Sequence, residues 1–422
     1  MGNEATQGMR VVIVGAGIVG VCCAIMLQRK GAQVTIIDAG VPGGPHAASY
    51  GNGGWLSPAS IVPMSIPGLW KKIPGYLLDR TGPLTIRPAA LPGLAPWLWK
   101  FMRAGATVQK VEHTAQALNL LLRDAPARHR ALADAAGLGA LIAHNGLLHV
   151  YPDKAAFAAD ALAWRLRRDN GVRWVEWGVQ EIRHWAPHLS TRYQSGVWVT
   201  DGAHCLNPGQ YVSGLLDYAV SLGASFISGQ VRDVDEHGAV VVDNKVMRAD
   251  RVVIAAGISS WELARKLGDV IPMRSERGYH IEIKAPGFEL PIPIMPSDGK
   301  MAITTTTQGL RFSGQVELAG RDDAPDWRRS DILLEQARRL YPELAQRDFG
   351  AAGVTRWMGH RPSVADGLPV ICSARRANNV IYAFGHGHIG LVSAPQTADL
   401  VTSLVFGTAA NAMLKHYCVT RF

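Results

Sequence analysis

A chain of 422 residues, 48% hydrophobic and with a formal charge of +9, carries enough apolar material for a large core, and at about 150 residues per domain it predicts two or three domains. That composition excludes disordered, collagen-like and small disulfide-stapled proteins. The 43 Lys and Arg exceed the 34 Asp and Glu, a surplus that suits nucleic acid, anionic lipid or an anionic ligand alike. The arginines are scattered, and the short cluster Arg165-Leu166-Arg167-Arg168 reads as a solvated helix face. No nucleic-acid partner is expected.

The five cysteines, Cys22, Cys23, Cys205, Cys372 and Cys418, form no CxxC and no Cys/His spacing of a zinc site. No metal is expected, and so sparse a set points to a reducing compartment. The apolar run near the N-terminus is broken by glycines and ends at Gln28-Arg29-Lys30, which is unlike a signal peptide. No segment has the ~18 uninterrupted apolar residues of a membrane span. The expected location is cytoplasmic, with peripheral contact at the inner face of a membrane left open.

Val11 to Val14 is an apolar run of strand length, suited to a parallel strand buried on both faces. Gly15-Ala16-Gly17-Ile18-Val19-Gly20 follows, helical spacing continues to Lys30, and Val34 to Ile37 makes a second strand ending at Asp38. This is the βαβ unit of a dinucleotide site. Gly15 permits the tight turn, Gly17 lets a pyrophosphate approach the backbone, and Gly20 lets helix and strand pack closely. The phosphates meet free N–H groups at the helix start, those of Ile18 and Val19 among them. Asp38 stands where a carboxylate meets ribose hydroxyls, and it disfavours a 2′-phosphate.

Residues 42–58 read as loop, and 63–103, rich in Pro, Trp and Leu, show few strand signals. A helix is expected over 107–136, a strand over Gly146 to Val150, a helix over Lys154 to Arg168 and a strand from Gly196 to Thr200. The nucleotide pattern returns with a helix near 209–222 and a strand over Ala224 to Ser228. A hairpin follows, Val231 to Val234 against Val240 to Val242, and then a buried strand from Arg251 ends in Ala255-Ala256-Gly257. Small residues such as Ala256 and Gly257 are expected where backbone closes over a flat or phosphorylated ligand. Residues 271–347 read as antiparallel, with alternation in Tyr279 to Lys284 and in Met301 to Thr304. Val380 to Phe384 is a strand, and Gly385-His386-Gly387-His388-Ile389-Gly390 leads into a helix from Leu391 to about Phe406, again aiming N–H groups at something electron-rich.

Four segments in this order resemble the flavin-dependent amine and D-amino-acid dehydrogenase/oxidase family, which includes glycine oxidase and sarcosine oxidase. They are Gly15 to Asp38; Ser49-Tyr50-Gly51-Asn52-Gly53-Gly54 with Ser57-Pro58; Gly359-His360-Arg361-Pro362 with Asp366 to Val370; and Gly385 to Gly390. The resemblance implies an α/β fold: a Rossmann-like FAD-binding domain in three pieces, about 9–62, 206–270 and 350–412, and an α+β substrate domain with an antiparallel sheet over about 63–205 and 271–349. It places Ser49, Asn52 and Gly53 along the pyrophosphate and isoalloxazine, and Val231 at the adenine. Gly359 joins the cofactor-binding set, and Gly387, Gly390 and Leu391 put amides at the flavin edge. A helix start there stabilises charge on reduced flavin. The flavin-linking cysteine of sarcosine oxidase has no clear counterpart, so FAD is expected to be non-covalent. His46 reads as a solvated loop histidine. Ile371-Cys372-Ser373 lacks the glycine usual in the family after Val370.

The implied reaction is oxidative deamination of a D-amino acid to a 2-oxo acid and ammonia, with hydride transfer from Cα to flavin N5. A cyclic or N-methyl imino acid, of hydroxy-D-proline or sarcosine type, needs the same carboxylate clamp and is the alternative. Arg361 is the expected clamp, since its planar fork pairs both oxygens of a carboxylate; Arg274 and Arg277 are weaker candidates. Tyr279 stands where relatives point a tyrosine into the pocket, and cross-strand packing suits it equally. His386 or His388 can take the proton of the substrate ammonium, although many relatives use no enzymatic base. The electron acceptor, oxygen or a quinone, is not legible. A nicotinamide dehydrogenase shares Gly15 to Asp38 but leaves the Asn52 and His386 loops unexplained.

Overall fold

The computed structural model describes residues 8–79, 81–350, 352–408 and 412–422. Its first sheet has six strands in the order Ser225–Ser228, Gln33–Asp38, Arg10–Val14, Arg251–Ile254, Val380–Phe384 and Val370–Ser373. All pairings are parallel except the last. Successive side chains alternate between its faces. Val11 and Ile13 enter a core shared with the helices Ile18–Gln28, Pro208–Ser221 and Gly390–Phe406. Val12 and Val14 enter a second core with the meander Val231–Val234, Ala239–Val242, Lys245–Arg248 and the helix Ser260–Lys266. Burial on both faces is why the central strands read as continuous apolar runs.

The second sheet runs Val354–Val364, Met273–Ile283, Gly309–Leu318, Ala302–Thr306, Ile294–Pro296, Leu147–Tyr151, Ser195–Val199, Trp174–Trp177, with Leu84–Ile86 beside Gly309–Leu318. Tyr279, Ile281, Ile283 and Phe312 point to a core under the helix Arg328–Leu340. Alternate residues on the same strands point the other way, toward the six-stranded domain.

Three expectations need correction, and a fourth is extended. The third cofactor segment does not begin at 350: Val354–Val364 pairs with Met273–Ile283 along its whole length, Val354 opposite Ile283 and Val364 opposite Met273. That strand belongs to the substrate sheet, because the partner that claims it is distant in sequence. The helix expected over 107–136 is two, Val108–Leu122 and Ala125–Ala135, and the one over Lys154 to Arg168 divides at Asp160. Pro126 and Pro at early helical positions suit a fresh start rather than a helix interior. The hairpin near Val231 gains a third strand.

Several histidines are locked inside. Burial lowers the pKa of His129 and His204 to about 4 and of His280 and His386 to about 3. In the unfolded chain each binds a proton near pH 6.5. The unfolded state therefore holds more protons across the window from pH 6.5 to about 4, and stability falls as pH falls through it, by about 1.4 kcal/mol per pH unit for each such histidine. The expected result is a Tm that drops steeply on acidification from pH 7 to pH 5. A Tm flat over that range would show that these imidazoles are not buried neutral.

Candidate active site

The turn after the first strand shows what its glycines do. Gly15 has φ +110°, and a Cβ on it would lie 2.5 Å from the Ala255 carbonyl oxygen; one on Gly20 would lie 1.9 Å from that of Gly15. The helix Ile18–Gln28 starts on Gly17, which gives no side-chain cap, and its first turn holds no acid. Ser49 Oγ accepts from the Ile18 N–H at 3.2 Å, so the 49–54 loop reaches this helix start. Asp38 at the second strand end accepts from the N–H groups of Ala16 (2.7 Å) and Gly40 (2.8 Å). His46 lies beside it, 3.6 Å from Asp38 Oδ1.

The same loop is clamped by the face of the substrate sheet. Arg311 Nη1 donates to the carbonyls of Tyr50 (3.1 Å) and Asn52 (3.0 Å), Thr304 Oγ1 donates to the Gly53 carbonyl (2.9 Å), and His280 Nδ1 bonds the Gly51 carbonyl (3.2 Å). Gly51 leaves room for the Trp357 ring, which a Cβ would meet at 2.1 Å. Arg311, Thr304 and His280 escape sequence reasoning because no local pattern marks them. Near Gly53 the Ser313 hydroxyl oxygen is buried and has no hydrogen-bond partner among the described residues. A glycine cradle at a helix start whose N-cap residue has no side chain to offer, and an orphaned hydroxyl at the domain junction, both fit a bound FAD. Residues Gly15, Gly17, Ile18, Val19, Gly20 and Asp38 would hold its phosphates and ribose, and the 49–54 loop its flavin end.

The last turn is tied to the substrate strand. The Gly387 N–H donates to the Pro362 carbonyl (3.0 Å), and Ser363 bridges to His386. Gly387 adopts φ +53°, which glycine tolerates best. Arg361, His386, His388 and the start of helix Gly390–Phe406 thus converge. Glu276 joins them, directly opposite Arg361 in the strand register. Arg361 Nη1 donates to Glu276 Oε1 at 3.3 Å and to the Gln315 carbonyl at 3.2 Å. Its Nη2, Cζ and Nε spread over Gly278, where any Cβ would collide. Gln315 sits at a register shift with φ +58°, and this irregularity aims its carbonyl at Arg361.

A cleft partly open to solvent is walled by Glu276, Ser363, His386 and His388 on one side and by Met64, Trp97 and Phe101 on another. Trp97 is held there by its Nε1–H on the Ser363 carbonyl (3.1 Å) and stacks on Phe101. His386 is buried, shares a hydrogen bond with Thr397 Oγ1 (3.1 Å) and, at a pKa of about 3, stays neutral at working pH. His388 is exposed to the cleft. Its surroundings lower its pKa by desolvation, Glu276 opposes that shift, and Arg361 adds to it. Of the two histidines, His388 is the one placed to exchange a proton with a bound molecule.

Tyr279 departs from the expectation that it faces the pocket. It lies on the opposite face of its strand, 1% exposed, its hydroxyl donating to Glu317 and accepting from the Asp326 N–H, with burial pushing its pKa up to about 12. The period of two along a strand sends Glu276 and Gly278 to the cleft and Tyr279 to the core. Arg277 is likewise a buried clamp, on Glu317 and the carbonyls of Gly320 and Asp323. Arg274 caps the Gly93 carbonyl.

The family profile described as "FAD dependent oxidoreductase" (DAO) matches residues 10–404. The chain belongs to the DAO family of FAD-dependent oxidoreductases. This oxidoreductase is 44% identical over 420 residues to a protein of Bradyrhizobium diazoefficiens named D-amino-acid oxidase, with 99% of each chain covered. It is 28% identical to D-amino acid dehydrogenase 2 of Ralstonia nicotianae, over 98% of this chain and all of that one. Its fold matches glycine oxidase from Geobacillus kaustophilus at a TM-score of 0.74, with 20% identity and 98% and 99% of the two chains covered. Iminodiacetate oxidase from Chelativorans matches at 0.70, also with 20% identity, over 97% and 98%. Among the described residues of the enzyme, no helix is long and apolar enough to cross a membrane.

Proposed function

We propose that the enzyme oxidises a D-amino acid at its Cα–N bond, giving a 2-oxo acid and ammonia after hydrolysis of the imine. The observation that carries this reading is Arg361. Its guanidinium bonds Glu276, which lines the cleft beside the turn Gly385–Gly390, and among the described residues hydrogen bonds engage only Nη1 of its fork. Nη2 and Nε are left to pair with a carboxylate bidentately. The name of the 44% identical relative supports an amino acid of D configuration. FAD, when bound, supplies the two-electron acceptor for the Cα hydrogen. Arg361 fixes the carboxylate and so orients Cα, while Trp97, Phe101 and Met64 shield the cleft from water and offer an apolar seat for a side chain. His388 can hold the proton that leaves the substrate nitrogen.

Oxygen and a quinone are both chemically able to reoxidise the cofactor. A membrane-borne acceptor has support from the helices Leu69–Leu78 and Leu91–Ala104, which expose Trp70 and Trp99 beside Lys71 and Arg103, a pairing suited to the interface of an anionic bilayer.

Anaerobic titration with D-amino acids, L-amino acids, hydroxyprolines and sarcosine, read by bleaching of the flavin, tests the substrate. D-amino acids are expected to bleach it fastest. Reduction by hydroxy-D-proline or sarcosine alone would replace the reading with imino-acid oxidation, and no bleaching by any of them would end it. Admitting air, then a soluble quinone, separates the two acceptors.

A further inference from the structure

Glu276 has no role in the reading above, yet it is the acid closest to the expected carboxylate clamp. It is 8% exposed, lies in the wall of the cleft, and is held by Ser363 Oγ, which donates to its Oε2 at 3.0 Å. Its other oxygen touches Arg361 Nη1 at 3.3 Å, a single long contact, where a satisfied Arg–carboxylate pair is bidentate at about 2.7–2.9 Å. Glu276 therefore keeps lone pairs free. His388 is the other titratable group whose charge is felt there, and among the described residues Arg361 is the cation in contact with Glu276.

A carboxylate arriving on Arg361 changes the local balance. With Glu276 it makes two anions against one guanidinium, in a partly buried site where like charges repel strongly. An α-amino acid removes that excess, because its ammonium is on the carbon next to its carboxylate, just as Glu276 is next to Arg361. We infer that Glu276 receives the substrate's nitrogen, so that the Arg361–Glu276 pair reads a zwitterion and rejects acids that lack the amine. The inference rests on the proposed amino-acid reaction and adds a specificity-determining residue to it. It needs no new chemistry: the ammonium N–H groups donate to Oε1 and Oε2, and His388, facing the same space, remains available for the released proton.

The test compares holoenzyme and Glu276→Gln with two ligands, a D-amino acid substrate and benzoate, which has a carboxylate and no amine. Glutamine keeps the shape and the Ser363 contact but loses the charge. The expected result is a pair of opposite changes: KM for the amino acid rises on the order of tenfold or more, while benzoate, followed by its perturbation of the flavin spectrum, binds several-fold more tightly. Glu276→Asp, with the charge retained, should keep the wild-type order of preference. If both ligands weaken together, Glu276 merely holds Arg361 in place and the inference is overturned; if neither changes, it is overturned as well. Wild-type enzyme that binds benzoate but is bleached by no amino acid would overturn the proposed reaction instead, and this inference with it.

Discussion

Arg361→Ala raises KM for the amino acid on the order of 100- to 1,000-fold while flavin content per polypeptide stays at the wild-type level. Truncating one member of a buried, hydrogen-bonded charge pair costs about 2–5 kcal/mol, and 3–4 kcal/mol of that range corresponds to about two to three decades. The cofactor is spared because Arg361 bonds Glu276 and the Gln315 carbonyl, whereas the glycine turn and the 49–54 loop make their own contacts elsewhere. Arg361→Lys keeps the charge and loses the fork, so its KM should lie between the two. Steady-state kinetics across an amino acid panel check this. An unchanged KM in the alanine variant would remove the carboxylate clamp and leave the cleft without an anchor for its substrate.

Gly20→Ala is expected to yield a colourless or unstable protein. The added methyl would sit 1.9 Å from the Gly15 carbonyl oxygen, and backbone is what must move. Helix Ile18–Gln28 would be pushed off the strand that positions its N-terminus, and the phosphate-facing N–H groups would go with it. Gly93→Ala is the matched control: a Cβ there meets nothing within 4 Å, and alanine favours its helix. The absorbance of oxidised flavin per polypeptide, before and after incubation with excess FAD, reads both variants. Full flavin content in Gly20→Ala would mean that this turn is not the phosphate cradle.

Most of the cofactor half could be read directly from short stretches of chain. Val11 to Asp38 declares a strand, a tight turn, a helix and a second strand, and the structure places Arg10–Val14, Ile18–Gln28 and Gln33–Asp38 there. The turn before helix Gly390–Phe406 was equally legible. The substrate half was less so. Tyr279, next to Gly278, looked like a pocket residue, and the strand from Val354 looked like cofactor domain. Both depend on which strand lies alongside, and on which of its two faces meets the cleft.

Local steric rules therefore accounted for the glycine turns, the helix starts and the buried strands, since each is decided among residues a few positions apart. The pairing of Arg361 with Glu276, the hold of Arg311 and Thr304 on the 49–54 loop, and the retreat of Tyr279 into the core arise only when Met273–Ile283 finds Val354–Val364 and Gly309–Leu318 in a particular register. Side chains alternate with a period of two, so a slip of one residue would exchange cleft and core. That register is fixed by the burial of Ile281, Ile283 and Phe312 against helix Arg328–Leu340, a contact between segments that no local pattern links.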